Sequence, residues 1–197
     1  MAYRLLYSTY MESHVRAEDR FVDPEEVTRT VGVHSGMRIA DIGAGSGAYT
    51  FACAKKVGDT GRVYAIDVQS DFLTRISNEA EGRGIDNIEI VWGDAERHLG
   101  TKLAGASIDM ALLSNILFQF EVKEDALKEV HRILKPEGTL VIVEWSDSFN
   151  GMGPATSDVV ARDDAKSLAD RAGFALVREF TPGKHHYGLI YTKAKTI

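Results

Sequence analysis

Apolar and polar positions follow one another in a way that predicts alternating strands and helices from Met37 to Leu176. Helical spacing puts four apolar residues on one face of a segment: Phe72, Leu73, Ile76 and Ala80. The runs Ile108 to Leu113 and Thr139 to Trp145 are almost continuously apolar, which is typical of parallel strands that are buried on both sides. The pattern predicts an α/β doubly wound fold with helices on both faces of a sheet.

Both ends of this pattern carry further signals. The sequence Asp23-Pro24-Glu25-Glu26 combines a capping residue, a proline and two acids, and predicts a short helix that continues to about Thr30. Near the other end, strand-like runs cover Ala175 to Phe180 and Tyr187 to Lys193, with six residues between them. So short a connection predicts an antiparallel hairpin and one reversed strand in a mostly parallel sheet.

Composition narrows the class of protein. The 197 residues are 44% hydrophobic and 26% charged, which is typical of one folded domain whose core needs no disulfide. Cys53 is the only cysteine, no apolar run exceeds four residues, and no secretory signal is recognisable, so we expect a cytoplasmic protein without a membrane span. The net charge of −6 argues against general attraction to nucleic acid.

The sequence Asp41-Ile-Gly43-Ala44-Gly45-Ser-Gly47 leaves a predicted strand and enters a predicted helix. Glycines let such a turn approach a ligand closely, and the helix start offers free amides, so we interpret it as a cofactor loop. The run Gly43, Gly45 and Ala48 also satisfies a dinucleotide-binding pattern, with Asp67 placed as its acid. The loop alone therefore leaves the kind of cofactor open, and a strand-to-helix turn without a ligand is the alternative.

Two further acids follow predicted strands. Asp67 ends the second strand, where its carboxylate can accept hydrogen bonds from both ribose hydroxyls of an adenosine cofactor. Asp94, in Gly93-Asp94-Ala95 after the third strand, can accept a hydrogen bond from an adenine amino group. A solvated acid in the first case and a helix N-cap in the second are the alternatives.

These three elements together resemble the class I S-adenosylmethionine-dependent methyltransferases, and the resemblance covers residues 37 to 193. It implies a Rossmann-like sheet of about seven strands with an antiparallel last strand. Leu134-Lys135-Pro136-Glu137-Gly138 is similar to the Leu-Lys-Pro-Gly-Gly turn of the small-molecule branch that includes ubiquinone and menaquinone biosynthesis enzymes. Glu137 replaces a glycine there, which predicts a negative φ at this position.

The resemblance implies S-adenosylmethionine as cofactor and S-adenosylhomocysteine as product. The glycine loop would line the methionine part, Val68 would lie against adenine, and Ser114 and Asn115 would lie beside the methionine end. The expected cofactor-binding residues are Asp41, Gly43, Ala44, Gly45, Gly47, Asp67, Val68, Gly93, Asp94, Ala95, Ser114 and Asn115. We therefore predict a single methyltransferase domain over 1–197, with an N-terminal helical or lid segment (1–36), a cofactor-binding half (37–145) and a C-terminal helix and hairpin (146–197).

Methyl transfer is an in-line displacement, so the protein chiefly positions the acceptor and excludes water. The candidate catalytic residues are Glu144, at the end of the fifth strand, and His186 and Tyr187, which begin the reversed strand at the same edge. His186 is the candidate base and Tyr187 the candidate donor, although histidines exposed in a turn are the simpler alternative. The pair His185-His186 lacks a third ligand, so no metal is expected.

We expect a small-molecule acceptor, because the Pro-Pro-aromatic and Pro-Cys elements of nucleic-acid enzymes are missing. Few residues lie between the fifth strand and the helix that follows it, so we expect that the acceptor pocket is open, completed by residues 1 to 22, or built with a second subunit in a homodimer. Tyr7, Tyr10, Met11 and Phe21 either cover an apolar acceptor or pack in the core. Two other functions stay open: an NAD(P)-dependent oxidoreductase, and a non-catalytic cofactor-binding protein that activates a partner.

Overall fold

Strands and helices alternate through the residues that the computed structural model describes, which are 22–149 and 153–194. The strands are β1 (Arg38–Ile42), β2 (Arg62–Asp67), β3 (Ile88–Trp92), β4 (Ile108–Ser114), β5 (Leu134–Trp145), β6 (Phe174–Gly183) and β7 (His186–Lys193). The helices are α1 (Pro24–Thr30), α2 (Ala48–Val57), α3 (Ser70–Arg83), α4 (Lys123–Ile133) and α5 (Arg162–Arg171). Short 3-10 turns lie at Leu117–Gln119 and Thr156–Asp158.

The seven strands form one sheet in the order β3-β2-β1-β4-β5-β7-β6. Strands β1 to β5 run parallel to one another, whereas β7 is antiparallel to both β5 and β6. The predicted doubly wound sheet of seven strands with a reversed last strand is confirmed. The strand order changes direction between β1 and β4, and in such sheets ligands bind outside the carboxyl ends of these strands.

Helices bury both faces of the sheet. On one face Leu140 and Ile142 of β5 pack in a cluster with α4 and α5. On the other face Val141 and Val143 pack in a cluster with α1 and α2, while α3 covers the β2 end through Ile76. Successive side chains of β5 thus pack on opposite faces of the sheet, and helices cover both faces.

The predicted cap of α1 is present. The Asp23 carboxylate accepts hydrogen bonds from the amides of Glu25, at 2.9 Å, and Glu26, at 3.4 Å, and Pro24 occupies the first turn. These contacts satisfy amides that have no partner inside the helix. The helix ends at Thr30, where the sequence predicts its end.

The terminal hairpin is tighter than predicted. Strand β6 extends to Gly183 and β7 already begins at His186, so two residues rather than six connect them. The longer pairing is accommodated by register shifts, because Phe180 pairs with Gly188 but Gly183 pairs with His186. His186 consequently lies in a buried strand rather than in a turn.

The prediction of a negative φ at Glu137 is wrong, because this residue has φ +62°. Strand β5 begins at Leu134, opposite Ile108, and its next partner pair is Thr139 with Met110. Five residues of β5 therefore span two residues of β4, and the extra residues must bulge. Left-handed backbone costs a non-glycine residue about 1 kcal/mol, which the surrounding pairing offsets.

A buried ion pair fixes the chain between β3 and β4 against α4. The Glu129 carboxylate accepts hydrogen bonds from the amides of Leu99 and Thr101, and from Nε and Nη2 of Arg132, both at 2.7 Å. Burial alone would raise the pKa of Glu129, but Arg132 and Thr101 hold it at about 2. Its stabilising effect is therefore complete above pH 4.5 and is lost as the pH falls toward 2.

We expect Glu129→Ala to lower the free energy of unfolding by about 3–5 kcal/mol, because it leaves the buried Thr101 and the partly buried Arg132 guanidinium without their acceptor. Urea unfolding at pH 7 measures the loss. The control is Asp125→Ala, which removes an exposed ion pair with Lys128 on the same helix and should cost less than about 1 kcal/mol. Equal losses for the two variants would contradict the assignment of Glu129 as a structural anchor.

Candidate active site

The sequence-predicted residues gather at one edge of the sheet, where the parallel strands end. Each strand contributes a residue at its end or in the loop that follows. These residues are Asp41 and Gly43 to Gly47 after β1, Asp67 and Val68 at β2, Gly93 to Ala95 after β3, and Ser114 and Asn115 at β4. Glu144, His186 and Tyr187 lie at the same edge, because the end of β5 pairs with the start of β7.

The loop after β1 turns sharply through three glycines in left-handed conformation. Gly43, Gly45 and Gly47 have φ of +72°, +51° and +82°. A Cβ on Gly43 would lie 2.5 Å from Cγ1 of Ile116, and one on Gly47 would lie 2.8 Å from Cγ1 of Ile76. The loop therefore packs tightly between its neighbours, and φ > 0 strains any other residue at these positions.

Gly45 differs from the other two glycines. The nearest atom to a Cβ on Gly45 would be the Gly43 carbonyl oxygen, at 3.8 Å, so its open side has no close neighbour among the described residues. Its amide donates a hydrogen bond to Oδ2 of Asp67 at 2.9 Å. The loop thus leaves room for a ligand on this side and is tied to β2 on the other.

Asp67 joins two loops of the site. Its Oδ2 accepts the Gly45 amide, and its Oδ1 accepts the Gln69 amide at 2.8 Å. A carboxylate has about four acceptor positions, so lone pairs remain for ligand hydroxyls. Val68, which follows directly, is 57% exposed and presents an apolar surface beside this carboxylate.

Asp41 is buried beneath the glycine loop. Its Oδ2 accepts a hydrogen bond from Oγ1 of Thr50, in α2, at 2.6 Å. Burial raises the pKa of Asp41 to about 6, with a smaller contribution from the nearby Asp67 carboxylate. Asp41 therefore ties the end of β1 to α2, the helix that follows the glycine loop.

The turn after β3 is held by its own acid. Oδ1 of Asp94 accepts the Glu96 amide at 3.0 Å and Oδ2 accepts Nε of Arg97 at 2.9 Å, so Asp94 caps this turn. A Cβ on Gly93 would lie 2.5 Å from the Gly100 carbonyl oxygen, which explains the glycine. The capping role does not occupy every acceptor position of Asp94.

Trp92 is a site residue that the sequence reasoning missed. Its indole N–H donates a hydrogen bond to the Val68 carbonyl at 3.0 Å, and its ring is 65% exposed with Nζ of Lys102 at 5.4 Å from the centroid. This contact fixes the backbone of Val68, where adenine is expected. In the sequence, the position of Trp92 directly before Gly93-Asp94 is the feature that indicates a place at this site.

Ser114 is the last residue of β4, and Asn115 follows the strand. Ser114 lies beside the hydroxyl of Tyr49, and this contact lowers the Tyr49 pKa although burial raises it overall. Asn115 has φ +54°, and its amide donates to the Val143 carbonyl at 2.8 Å. Its buried Oδ1 has no hydrogen-bond partner among the described residues, so it is available to a ligand.

The candidate catalytic residues Glu144 and Tyr187 point to the face that α4 and α5 cover. The Tyr187 hydroxyl donates to the Val160 carbonyl at 2.9 Å, so it is already engaged. Both Glu144 oxygens accept backbone amides, from Leu117 and Trp145. Burial raises the Glu144 pKa to about 7 against the lowering effect of these amides. Both residues therefore have structural contacts instead of free groups.

His186 lies on the opposite face, next to Trp145, with ring centroids 4.1 Å apart. It is 5% exposed, and neither ring nitrogen has a hydrogen-bond partner among the described residues. Burial, with a smaller contribution from the neighbouring His185, lowers the His186 pKa to about 4. The imidazole is therefore neutral at pH 7 and can accept a proton or a hydrogen bond.

His185 is held differently from His186. Its Nδ1 lies 2.9 Å from Oδ1 of Asp147, and Phe149 stacks on its ring at a centroid distance of 4.0 Å. The described part of the chain contains no group of three potential metal ligands and no helix with the length and apolar character needed to cross a bilayer. The predicted roles of residues 1 to 21 lie outside the described residues.

Family comparison agrees with this geometry. Residues 33–190 match the model of a family described as a methyltransferase domain. The chain belongs to this family, and the predicted class, a class I S-adenosylmethionine-dependent methyltransferase, is confirmed. The open side of Gly45, the Asp67 carboxylate and the exposed Val68 fit a cofactor that combines an amino acid with an adenosine.

Individual relatives differ in how much they share. A solved SAM dependent methyltransferase from Aquifex aeolicus has a TM-score of 0.82 and 25% identity, covering 94% of this chain and 96% of its own. A ubiquinone/menaquinone biosynthesis C-methyltransferase from Laribacter hongkongensis is 31% identical over 125 residues, 64% of this chain and 50% of that protein. A demethylmenaquinone methyltransferase from Geobacillus stearothermophilus is 29% identical over 122 residues, 62% and 51% respectively. The chain thus spans about half the length of these curated relatives.

The raised pKa of Asp41 makes a prediction about stability. A group with a folded-state pKa of about 6 and an ordinary value of 3.8 stabilises the fold below pH 4, and this contribution is lost as the pH rises through 6. Asparagine can still accept the Thr50 hydroxyl but carries no charge. We expect the free energy of unfolding of Asp41→Asn, relative to that of wild type, to rise by about 3 kcal/mol between pH 4 and pH 8.

Urea unfolding of both proteins across this pH range tests the prediction. The exposed Asp59→Asn variant controls for the general effect of removing one negative charge. A stability difference between Asp41→Asn and wild type that stays constant from pH 4 to pH 8 would show that Asp41 does not titrate in this range.

Proposed function

We propose that this protein transfers a methyl group from S-adenosylmethionine to a small-molecule acceptor. The observation that carries the proposal is the convergence of the glycine loop, the Asp67 carboxylate and the exposed Val68 at the change in strand order. An NAD(P)-dependent oxidoreductase is not supported, because the family match and the reversed β7 favour a methyltransferase.

S-adenosylmethionine supplies a methyl group made electrophilic by the sulfonium. The amides and open side of the glycine loop would hold the methionine part, with Ser114 and the unpartnered Oδ1 of Asn115 beside it. Asp67 would accept the ribose hydroxyls, and Val68, fixed by Trp92, would support adenine. Asp94 and Ala95 would close the adenine side.

The acceptor side of the proposal rests on His186 and Trp145. A neutral imidazole whose nitrogens have no hydrogen-bond partner among the described residues can orient an acceptor hydroxyl, or take its proton as the new bond forms. The buried Trp145 ring packs against this imidazole and gives it an apolar surrounding. The polar groups of Tyr187 and Glu144 already have partners within the protein, so the proposal assigns neither of them to the acceptor.

The names of the relatives describe methylation in ubiquinone and menaquinone biosynthesis. We propose a small organic ring of comparable size as the acceptor, and no nucleic acid. A cytoplasmic location and a homodimer that completes the pocket remain predictions from the sequence. Size-exclusion chromatography with light scattering at several concentrations tests the dimer.

Calorimetric titration with S-adenosylhomocysteine tests the cofactor site. We expect Asp67→Ala to weaken binding by at least tenfold, about 1.4 kcal/mol, because it removes acceptors for the ribose and the Gly45 tether. The control is Asp71→Ala, an exposed acid four residues further along the chain. If wild type bound NADH and not S-adenosylhomocysteine, the oxidoreductase alternative would replace the proposal.

A methyl-transfer assay with phenolic and quinol acceptors tests His186. We expect His186→Phe to lower kcat by about 100-fold or more, with an unchanged dissociation constant for S-adenosylhomocysteine. The exposed His34→Phe variant should match wild type. An equal kcat for His186→Phe and wild type would remove His186 from the mechanism, and tight cofactor binding with no turnover on any acceptor would favour the non-catalytic alternative.

A further inference from the structure

Glu144 is a buried carboxylate whose contacts are all backbone amides in the described part of the chain. Its Oε2 accepts the Leu117 amide at 2.9 Å, and its Oε1 accepts the Trp145 amide at 2.9 Å. The residue is 1% exposed, so water does not compete for these bonds. Hydrogen bonds from amides to a carboxylate are about twice as strong as those between neutral groups.

The Leu117 bond caps the 3-10 turn Leu117–Gln119 from a neighbouring strand. The first amides of such a turn have no partner within it, and in a buried position they need one. The segment from Asn115 to Gln119 is thereby anchored twice, since the Asn115 amide also donates to the Val143 carbonyl at 2.8 Å. Both anchors lie on β5.

Ile116 lies between these two anchors and packs directly over the glycine loop. A Cβ on Gly43 would lie 2.5 Å from Cγ1 of Ile116, so the Ile116 side chain lies as close to the Gly43 backbone as a glycine allows. Gly43 is held from the other side by its amide, which donates to the Ile66 carbonyl at 2.8 Å. A shift of Ile116 would therefore remove one wall of the glycine loop.

We infer that Glu144 is a positioning residue of the cofactor site, which holds the segment from Asn115 to Gln119 against the glycine loop and takes no proton from the acceptor. The inference rests on the proposed function only for the identity of the cofactor. It differs from the role of a general base, which the position of Glu144 at the end of β5 suggests in the sequence.

The variant Glu144→Gln separates these two roles. Glutamine has the same size, but its single carbonyl oxygen cannot accept both amides, and its own NH₂ group faces the second one as another donor. We expect the dissociation constant for S-adenosylhomocysteine to rise about tenfold and hydrogen exchange at the Leu117 amide to accelerate. At saturating cofactor, kcat should stay within about twofold of wild type.

The matched control for lost stability is Ile133→Val. Ile133 is fully buried but lies at the opposite edge of the sheet, because the following residue, Leu134, pairs with the first residue of β4. We expect this variant to melt at a lower temperature and to bind S-adenosylhomocysteine like wild type. Equal loss of affinity in Ile133→Val and Glu144→Gln would overturn the inference.

A second variant, Ile116→Ala, keeps Glu144 and truncates the side chain that packs over Gly43. It should also weaken S-adenosylhomocysteine binding. If Glu144→Gln does not fold, this variant tests whether the segment from Asn115 to Gln119 supports the glycine loop. Unchanged binding in a folded Glu144→Gln variant, or a lower kcat with unchanged binding, would overturn the inference. Failure of wild type to bind S-adenosylhomocysteine would instead overturn the proposed function.

Discussion

Parallel pairing of β1 with β2 on one side and β4 on the other is the constraint on which the candidate active site depends. Because these strands run in one direction, their last residues lie at the same edge of the sheet and the loops that follow converge there. These last residues are Ile42, Asp67 and Ser114. Strand β7 adds to this edge from the opposite direction, since His186 pairs with Trp145. Another strand order would carry the same motifs but would separate them.

The features that the sequence predicts well are those whose cause is local. The Asp23 cap, the glycine turn and the terminal hairpin each depend on a few consecutive residues. The contacts that complete the site join distant segments: Ile116 with Gly43, Trp92 with Val68 and Glu144 with Leu117. Such pairings depend on strand order and register, which no short pattern in the chain specifies.

Glu137 shows the same limit in the backbone. A glutamate in place of a glycine locally favours negative φ, but the register between β4 and β5 forces extra residues of β5 to bulge, and Glu137 adopts φ +62°. The hairpin connection is shorter than predicted for a related reason, because register shifts allow β6 and β7 to pair beyond their apolar runs. In both places pairing energy overrides local preference.

The contacts of the buried acids support the proposal that carboxylates at this edge position other groups and do not transfer protons. Glu129 has a cationic partner and a pKa near 2, whereas Asp41 and Glu144 have only neutral donors, and burial raises their pKa values to about 6 and 7. Glu144 accepts backbone amides on both oxygens, and Asp41 accepts the Thr50 hydroxyl of α2. His186 has the opposite combination, a neutral ring and two nitrogens without a hydrogen-bond partner among the described residues. Orientation contributes most of the acceleration in an in-line displacement. The proposal therefore gives the buried carboxylates a positioning role and leaves the contact with the acceptor to one neutral imidazole.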